Sequence, residues 1–469
     1  MGFAFGASSA CSRPYVFGGG ASRARIPKIS KRILLVTALL TAASGIPARV
    51  RAEEVAGDGE DDDQSAGVVL DNAAFEQRLA QSEALVRNAQ PTVQVGGYVD
   101  FGFFVPQGNG SGYIEDFGHV YFPGYAGQFG WVFLGDILAP AINTRGEVAD
   151  LGPAPGVNRT DSINSRGAPG FVLNEVNVAL RSALTPTALV SASINFTPRT
   201  GNDFALGDAF DVDIAQVEWL PTDSQRTSIF VGKMDPVFGI EYRDRKSDRR
   251  FGITPSLMSR YTIGTALGLK LRTKFGSNDR VVLAIALTNG SNTTEQFHFY
   301  DELDSNAGKT GSARLSIKLP LSIEIGVSGS AGPQDRATDT GHWMWFYGVD
   351  LMAHWGPVDL KGQWMQGHAD GQPSQGVYGL DLNNGAYLEL DAMLTSSLGV
   401  VGRGEFRDAF VWLDTQRAYL TKVWRATLGL RWVLTPRAVV KAEYLMNGEY
   451  DGVPPIADDV FTTSLVMGF

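Results

Sequence analysis

Residues 343–355 read Trp343-Met344-Trp345-Phe346-Tyr347-Gly348-Val349-Asp350-Leu351-Met352-Ala353-His354-Trp355. Taken every second residue, Trp343, Trp345, Tyr347, Val349, Leu351, Ala353 and Trp355 form one face, aromatic at both ends and aliphatic between. A period of two belongs to a strand. Amphipathic rings settle at the two membrane–water interfaces, and the band between them must be apolar. A strand of a soluble sandwich also alternates, but it has no reason to carry rings at both ends of its oily face. Trp424, Ala426, Leu428, Leu430 and Trp432 repeat the arrangement.

The same alternation runs outward in both directions, from Thr92 to Phe469. In the segment beginning near Tyr261, for example, Thr262, Gly264, Ala266, Gly268, Lys270, Arg272 and Lys274 oppose Ile263, Leu267, Leu269, Leu271 and Phe275. Segments begin near Thr92, Phe171, Ala188, Asp211, Thr227, Tyr261, Arg280, Ser312, Ser322, Trp343, Val358, Gly385, Leu398, Val423, Ala438 and Asp459. Even-numbered segments are followed by short turns such as Leu319-Pro320-Leu321 and Trp355-Gly356-Pro357. Odd-numbered ones are followed mostly by longer polar loops, the first spanning residues 106–170. Such alternation is what a barrel inserted from one side of a membrane requires. The expected fold is all-β, a transmembrane antiparallel β-barrel of about 16 strands over residues 92–469. A further hairpin near Trp131 to Leu138 would raise the count to about 18. Phe461, Thr463, Leu465, Met467 and Phe469 share one face of the last segment, and its final phenylalanine resembles the signature by which bacterial outer-membrane barrels are recognised for insertion.

Composition agrees with this class. The 469 residues include 55 glycines and only 19% charged positions, against roughly 7% glycine and a quarter charged in an average protein. A mean hydropathy of -0.05 excludes a polytopic helical membrane protein. Lys28, Lys31 and Arg32 precede the apolar run Ile33 to Ile46, so residues 1–52 are expected to be a signal peptide with an upstream extension. Residues 53–70 read as an acidic solvated spacer. Residues 71–91 read as a short periplasmic helix, with Phe75, Leu79, Ser82, Val86 and Ala89 on a heptad seam and Pro91 ending it. Removing residues 1–52 takes away eight basic side chains and no acidic one, leaving 32 basic against 50 acidic and a net charge of -18. Nucleic acid is not a partner for such a surface. Cys11, the single cysteine, falls in the leader, so the mature chain carries no thiol and no lipid-attachment cysteine.

Val95-Gly96-Gly97-Tyr98-Val99-Asp100, Gly232-Lys233-Met234-Asp235-Pro236-Val237-Phe238-Gly239, Leu287-Thr288-Asn289-Gly290 and the helix ahead of the barrel carry a resemblance. With these motifs the chain resembles bacterial outer-membrane porins, and more loosely the phosphate-selective porin O and P family. It departs from them in a longer first loop and a shorter helix. The resemblance implies a water-filled channel for small polar solutes whose third external loop, between the fifth and sixth strands, folds inward and narrows the lumen. Here that loop, Pro236 to Arg260, holds Arg243, Arg245, Lys246, Arg249, Arg250 and Arg260 against Glu241, Asp244 and Asp248, a balance of +3. Clustered guanidinium groups favour anions such as phosphate or carboxylate. Lys270, Arg272 and Lys274, on the strand leaving the loop, would continue that positive surface down one wall. Arg243, Arg245, Lys246, Arg249, Arg250, Arg260, Lys270, Arg272 and Lys274 are therefore the candidate pore-constriction residues.

The other inward-parity charges are mixed. Arg181, Arg314, Lys318, Lys361, Arg403, Arg425, Arg431 and Lys441 stand against Asp100, Glu175, Glu324, Asp350, Asp359, Glu389, Asp391, Glu405 and Glu443. Enzyme signatures are absent: the five histidines lack metal-ligand spacing and there is no GxSxG. No cofactor or metal is expected. The leading expectation is a homotrimeric outer-membrane porin, surrounded by lipid and lipopolysaccharide and passing small polar or anionic solutes. The alternative is a barrel serving specific ligand uptake or adhesion through the first loop, whose aromatics include Tyr113, Phe117, Tyr121, Phe122, Tyr125, Phe129 and Trp131.

Overall fold

Alternating strands expose a row of unpaired N–H and C=O groups at each edge, and lipid cannot hydrogen-bond them, so the sheet must close on itself. The computed structural model describes residues 93–106, 113–114, 130–131, 169–196, 210–221, 226–291, 306–335, 337–375, 377, 379–413, 416–451 and 459–469. Sixteen strands form one closed antiparallel barrel. They are β1 (Gln94–Pro106), β2 (Gly170–Thr185), β3 (Ala188–Phe196), β4 (Phe210–Trp219), β5 (Thr227–Met234), β6 (Ala266–Phe275), β7 (Val281–Thr288) and β8 (Thr310–Leu319). The second half is β9 (Ile323–Pro333), β10 (Trp343–Trp355), β11 (Val358–Ala369), β12 (Gly379–Met393), β13 (Leu398–Leu413), β14 (Gln416–Thr435), β15 (Ala438–Glu449) and β16 (Val460–Gly468). Each strand pairs with its sequence neighbours, and β1 pairs with β16 from Tyr98↔Gly468 to Pro106↔Val460. Phe469 extends that seam, its N–H donating to the Gly97 carbonyl (3.0 Å) and its carbonyl accepting from Gly97 N–H (3.3 Å).

Parity separates the faces. Leu269 is 53% exposed and Leu428 59%, as lipid-facing side chains of an isolated barrel must be, whereas Arg425, Arg431 and Lys441 are buried inside. Trp343, Trp345, Tyr347 and Trp355 are exposed at the two ends of β10. Ala353 and Ala426 share the outward parity, but these small side chains are covered by their neighbours. Among the inward candidates, Lys318 is exposed at the end of β8 and Arg181 is half-buried.

Three details differ from the sequence reading. β6 begins at Ala266, because Ser259–Tyr261 forms a 3-10 turn that belongs to the third loop. β14 begins at Gln416, seven residues before Val423. Ladder pairing there continues from Leu413↔Gln416 beyond the alternating segment, since outside lipid the strand no longer needs an oily face. β12 begins at Gly379, six residues before Gly385. Of the hairpin considered near Trp131 to Leu138, residues 132–138 lie outside the described residues, and Gly130–Trp131 pairs with Tyr113–Ile114 in a separate two-stranded ladder. The signal peptide, the spacer, the helix over 71–91 and most of the first loop lie outside the described residues.

Two outcomes are expected. Spin labels should find Leu269 accessible to oxygen dissolved in lipid and Lys270 accessible to a water-soluble quencher; equal accessibility at both positions contradicts the register. Deleting Phe469 removes the last pair of seam hydrogen bonds, and should lower the yield of heat-modifiable barrel in outer membranes more than it lowers the melting temperature of barrel already assembled.

Candidate functional site

The loop between β5 and β6, residues 235–265, lies inside the barrel, and its path can be followed by what it touches. Within β5, two residues before the loop, Gly232 takes φ +124°, where a Cβ would collide with the Ala215 carbonyl, so only glycine fits. Gly239 N–H donates to Ser328 Oγ of β9 (3.2 Å), and Ile240 N–H to Gln363 Oε1 of β11 (3.3 Å). Arg245 and Lys246 then turn back to Asp213 of β4. Residues 247–257 cross to β13, β14 and β15, and Tyr261 returns to Phe346 of β10, with ring centroids 5.4 Å apart.

Wall charges hold the loop by its backbone. Glu443 accepts from Ile253 N–H (2.6 Å), Thr254 N–H (2.9 Å) and Thr254 Oγ1 (2.6 Å). Lys441 Nζ donates to the carbonyls of Ser247 (2.7 Å), Arg250 (2.5 Å) and Gly252 (2.9 Å). Arg403 donates to the Thr254 and Pro255 carbonyls while pairing with Glu389 and Glu405, each at 3.0 Å. Lys361 joins Asp244 of the loop (2.8 Å) to Glu389 (2.8 Å) and Asp391 (3.0 Å). Loss of one partner from such a buried pair costs about 3–5 kcal/mol because it strands the other charge. Beside this network Phe238, Leu257, Met258 and Tyr261 pack with Met344, Phe346, Met365, Leu380, Leu382 and Tyr387, an apolar core inside the lumen. The loop is a partition held mainly against β9 to β15 and tied across to Asp213 of β4 and Lys270 of β6.

The candidate residues separate into groups. Arg250 is buried, donating to the carbonyls of Asp244 (3.1 Å), Ile253 (2.9 Å) and Arg245 (2.6 Å), and so braces the loop's own turn. Arg260 is buried too. Arg245 pairs with Asp213 and Asp235, and Lys246 with Asp213. Arg249 is partly exposed. Arg243, 22% exposed, lies 3.4 Å from Glu324. Arg272 and Lys274 are 39% and 37% exposed, beside Glu218 and Asp279. Lys270 and Arg272 lie over the ring of Phe230 at 4.6 and 5.2 Å, and Lys270 Nζ donates to the Asp235 carbonyl (2.9 Å). The structure therefore joins Arg245 and Lys270 through Asp235, while Arg250 reaches Arg245 only at its backbone carbonyl. Sequence reasoning missed Asp213, Glu218 and Asp235 as site residues. Asp235 stood within the motif quoted for the resemblance; Asp213 sits at a β-bulge that parity cannot foresee.

Within the loop, Glu241 is buried, and desolvation raises its carboxyl above the ordinary 4.5 despite hydrogen bonds from Ser256 N–H and its hydroxyl. A carboxyl with a raised folded value contributes stability that is full below about 4.5 and is lost as pH climbs from there through the raised value. Glu241→Gln keeps the shape without the proton. In hydrogen exchange over residues 240–257 between about pH 4 and about pH 8, wild-type protection corrected for intrinsic rate should fall with pH and that of the variant should stay flatter. Equal slopes would refute this account.

No protein-family profile matches the sequence, and no curated protein matches it either. Among solved structures the chain is similar to the outer membrane channel DcaP of Acinetobacter baumannii, at TM-score 0.48 and 10% identity over 81% of this chain and 98% of that one. It is also similar to OmpF of Salmonella typhi in complex with daunomycin (0.49, 9%, 81% and 98%) and to an anion-selective porin from Comamonas acidovorans (0.45, 10%, 81% and 100%). At these identities and scores the similarity carries no functional argument. The closed sheet, its interior of buried charge and its oily outer belt between aromatic rims make this chain a transmembrane β-barrel of the bacterial outer membrane.

Proposed function

We propose that the protein is a porin, a water-filled channel for passive diffusion of small polar solutes, which favours anions and works as a homotrimer among lipid and lipopolysaccharide. One observation carries the anion preference: the lumen's charges are used unequally. Beneath the loop, Glu389, Asp391, Glu405 and Glu443 are buried against Lys361, Arg403 and loop backbone. Toward β4 to β9, where the loop is tied at fewer points, Arg243 of the loop and Arg272 and Lys274 of β6 keep part of their surface in water. These three cations stand beside two partly exposed carboxylates, Asp235 and Asp279, and low-dielectric walls focus the field of the excess. Phosphate or carboxylate solutes suit the forked donors of Arg243 and Arg272.

Reversal potentials across a planar bilayer in a potassium chloride gradient test the proposal. Wild type should favour chloride, and Arg243→Gln with Arg272→Gln should cut the chloride-to-potassium permeability ratio roughly two- to fivefold, as the loss of two charges at partly screened distance implies. Cation preference in wild type would refute the anion reading, and absence of ohmic steps would refute the channel.

A further inference from the structure

We infer that Asp213 of β4 is the residue that sets how much of the third loop's positive charge reaches the lumen. It lies at an irregularity in the β3–β4 ladder, where Ser193 pairs with Ile214 and Ile194 with Val212, leaving Asp213 as the extra residue. A bulge of this kind re-aims a side chain. Val212 and Val217 face lipid, while Asp213 and Ile214 are both turned away from it.

The Asp213 side chain is 3% exposed and meets two successive loop cations. One oxygen receives Arg245 Nη1; the other lies 3.0 Å from Lys246 Nζ and 2.8 Å from Ser193 Oγ. Lys246 Nζ also lies 3.1 Å from Ser193 Oγ. Adjacent side chains on a loop ordinarily diverge, so convergence of Arg245 and Lys246 on one carboxylate fixes the loop's orientation at this point. Asp213 thus acts as a positioning residue in two ways. It anchors residues 245–246 to the β3–β4 wall, opposite the anchors on β11 to β15, and it cancels one of the two charges it holds. The arrangement differs from that of Arg243, whose partner Glu324 is shared with Arg314 (2.9 Å).

This inference rests on the channel reading but not on the sign of its selectivity, because the effect is read against wild type. Asp213→Asn should raise the chloride-to-potassium permeability ratio roughly twofold or more, the expectation for one unit charge at about 8 Å across water. Asp213→Glu should stay near wild type. Asp213→Asn with Lys246→Gln, which restores the charge balance, should return the ratio to wild type. A second readout needs no conduction: in folded, heat-modifiable barrel, a small amine-acetylating reagent should modify Lys246 several-fold faster in Asp213→Asn than in wild type, scored by mass spectrometry. A wild type that favours cations would end the anion proposal and leave this one standing, provided the shift is seen. An unchanged ratio, or unchanged acetylation of Lys246, overturns it; should Asp213→Asn yield no barrel, a double variant that folds but departs from the wild-type ratio does the same.

Discussion

Every backbone N–H and C=O that enters lipid must find its partner within the protein. For a chain whose strands are oily on one side only, the solution is a sheet with no edge, and the seam between β1 and β16 is where that condition is met last. Closure creates an inside. Every second residue of every strand then points into a volume that is not lipid, and the charges found there follow from parity.

An enclosed polar volume permits what a soluble core does not. The third loop brings its backbone into the lumen, where its carbonyls and N–H groups need partners just as strand edges do. Lys441, Arg403, Glu443 and Glu405 supply them from the wall. Each of these charges is desolvated, a cost that hydrogen bonds to fixed dipoles offset only when all are made together. The loop and β11 to β15 are therefore joined as one unit, with Asp213 of β4 holding the loop from the other side.

How far this could be read beforehand depends on the range of each signal. Period-two alternation is local and strong, so it places Leu269 and Lys270 on opposite faces and puts most strand starts within a few residues of those observed. Where lipid makes no demand the signal fades: in the sequence Gln416 to Lys422 mixes Arg417 and Thr421 with Tyr419 and shows no apolar alternation, although β14 begins at Gln416. Charge composition marked residues 236–260 as basic, yet composition cannot say which cation meets which partner. Arg250 went to the loop's own carbonyls and Arg245 to Asp213 on β4, contacts set by a three-dimensional path and, for Asp213, by one extra residue in a ladder.

Parity also governs the chain's passage before it reaches its destination. Because each oily residue of β10 is followed by one of the opposite face, among them Asp350 and His354, no strand offers the run of roughly 20 apolar residues at which a secretory translocon releases a segment sideways into the inner membrane. None of the described helices is long and apolar enough to do so either. The pattern that fits the barrel to one membrane thus lets the unfolded chain cross another without stopping, and spares it from being trapped on the way.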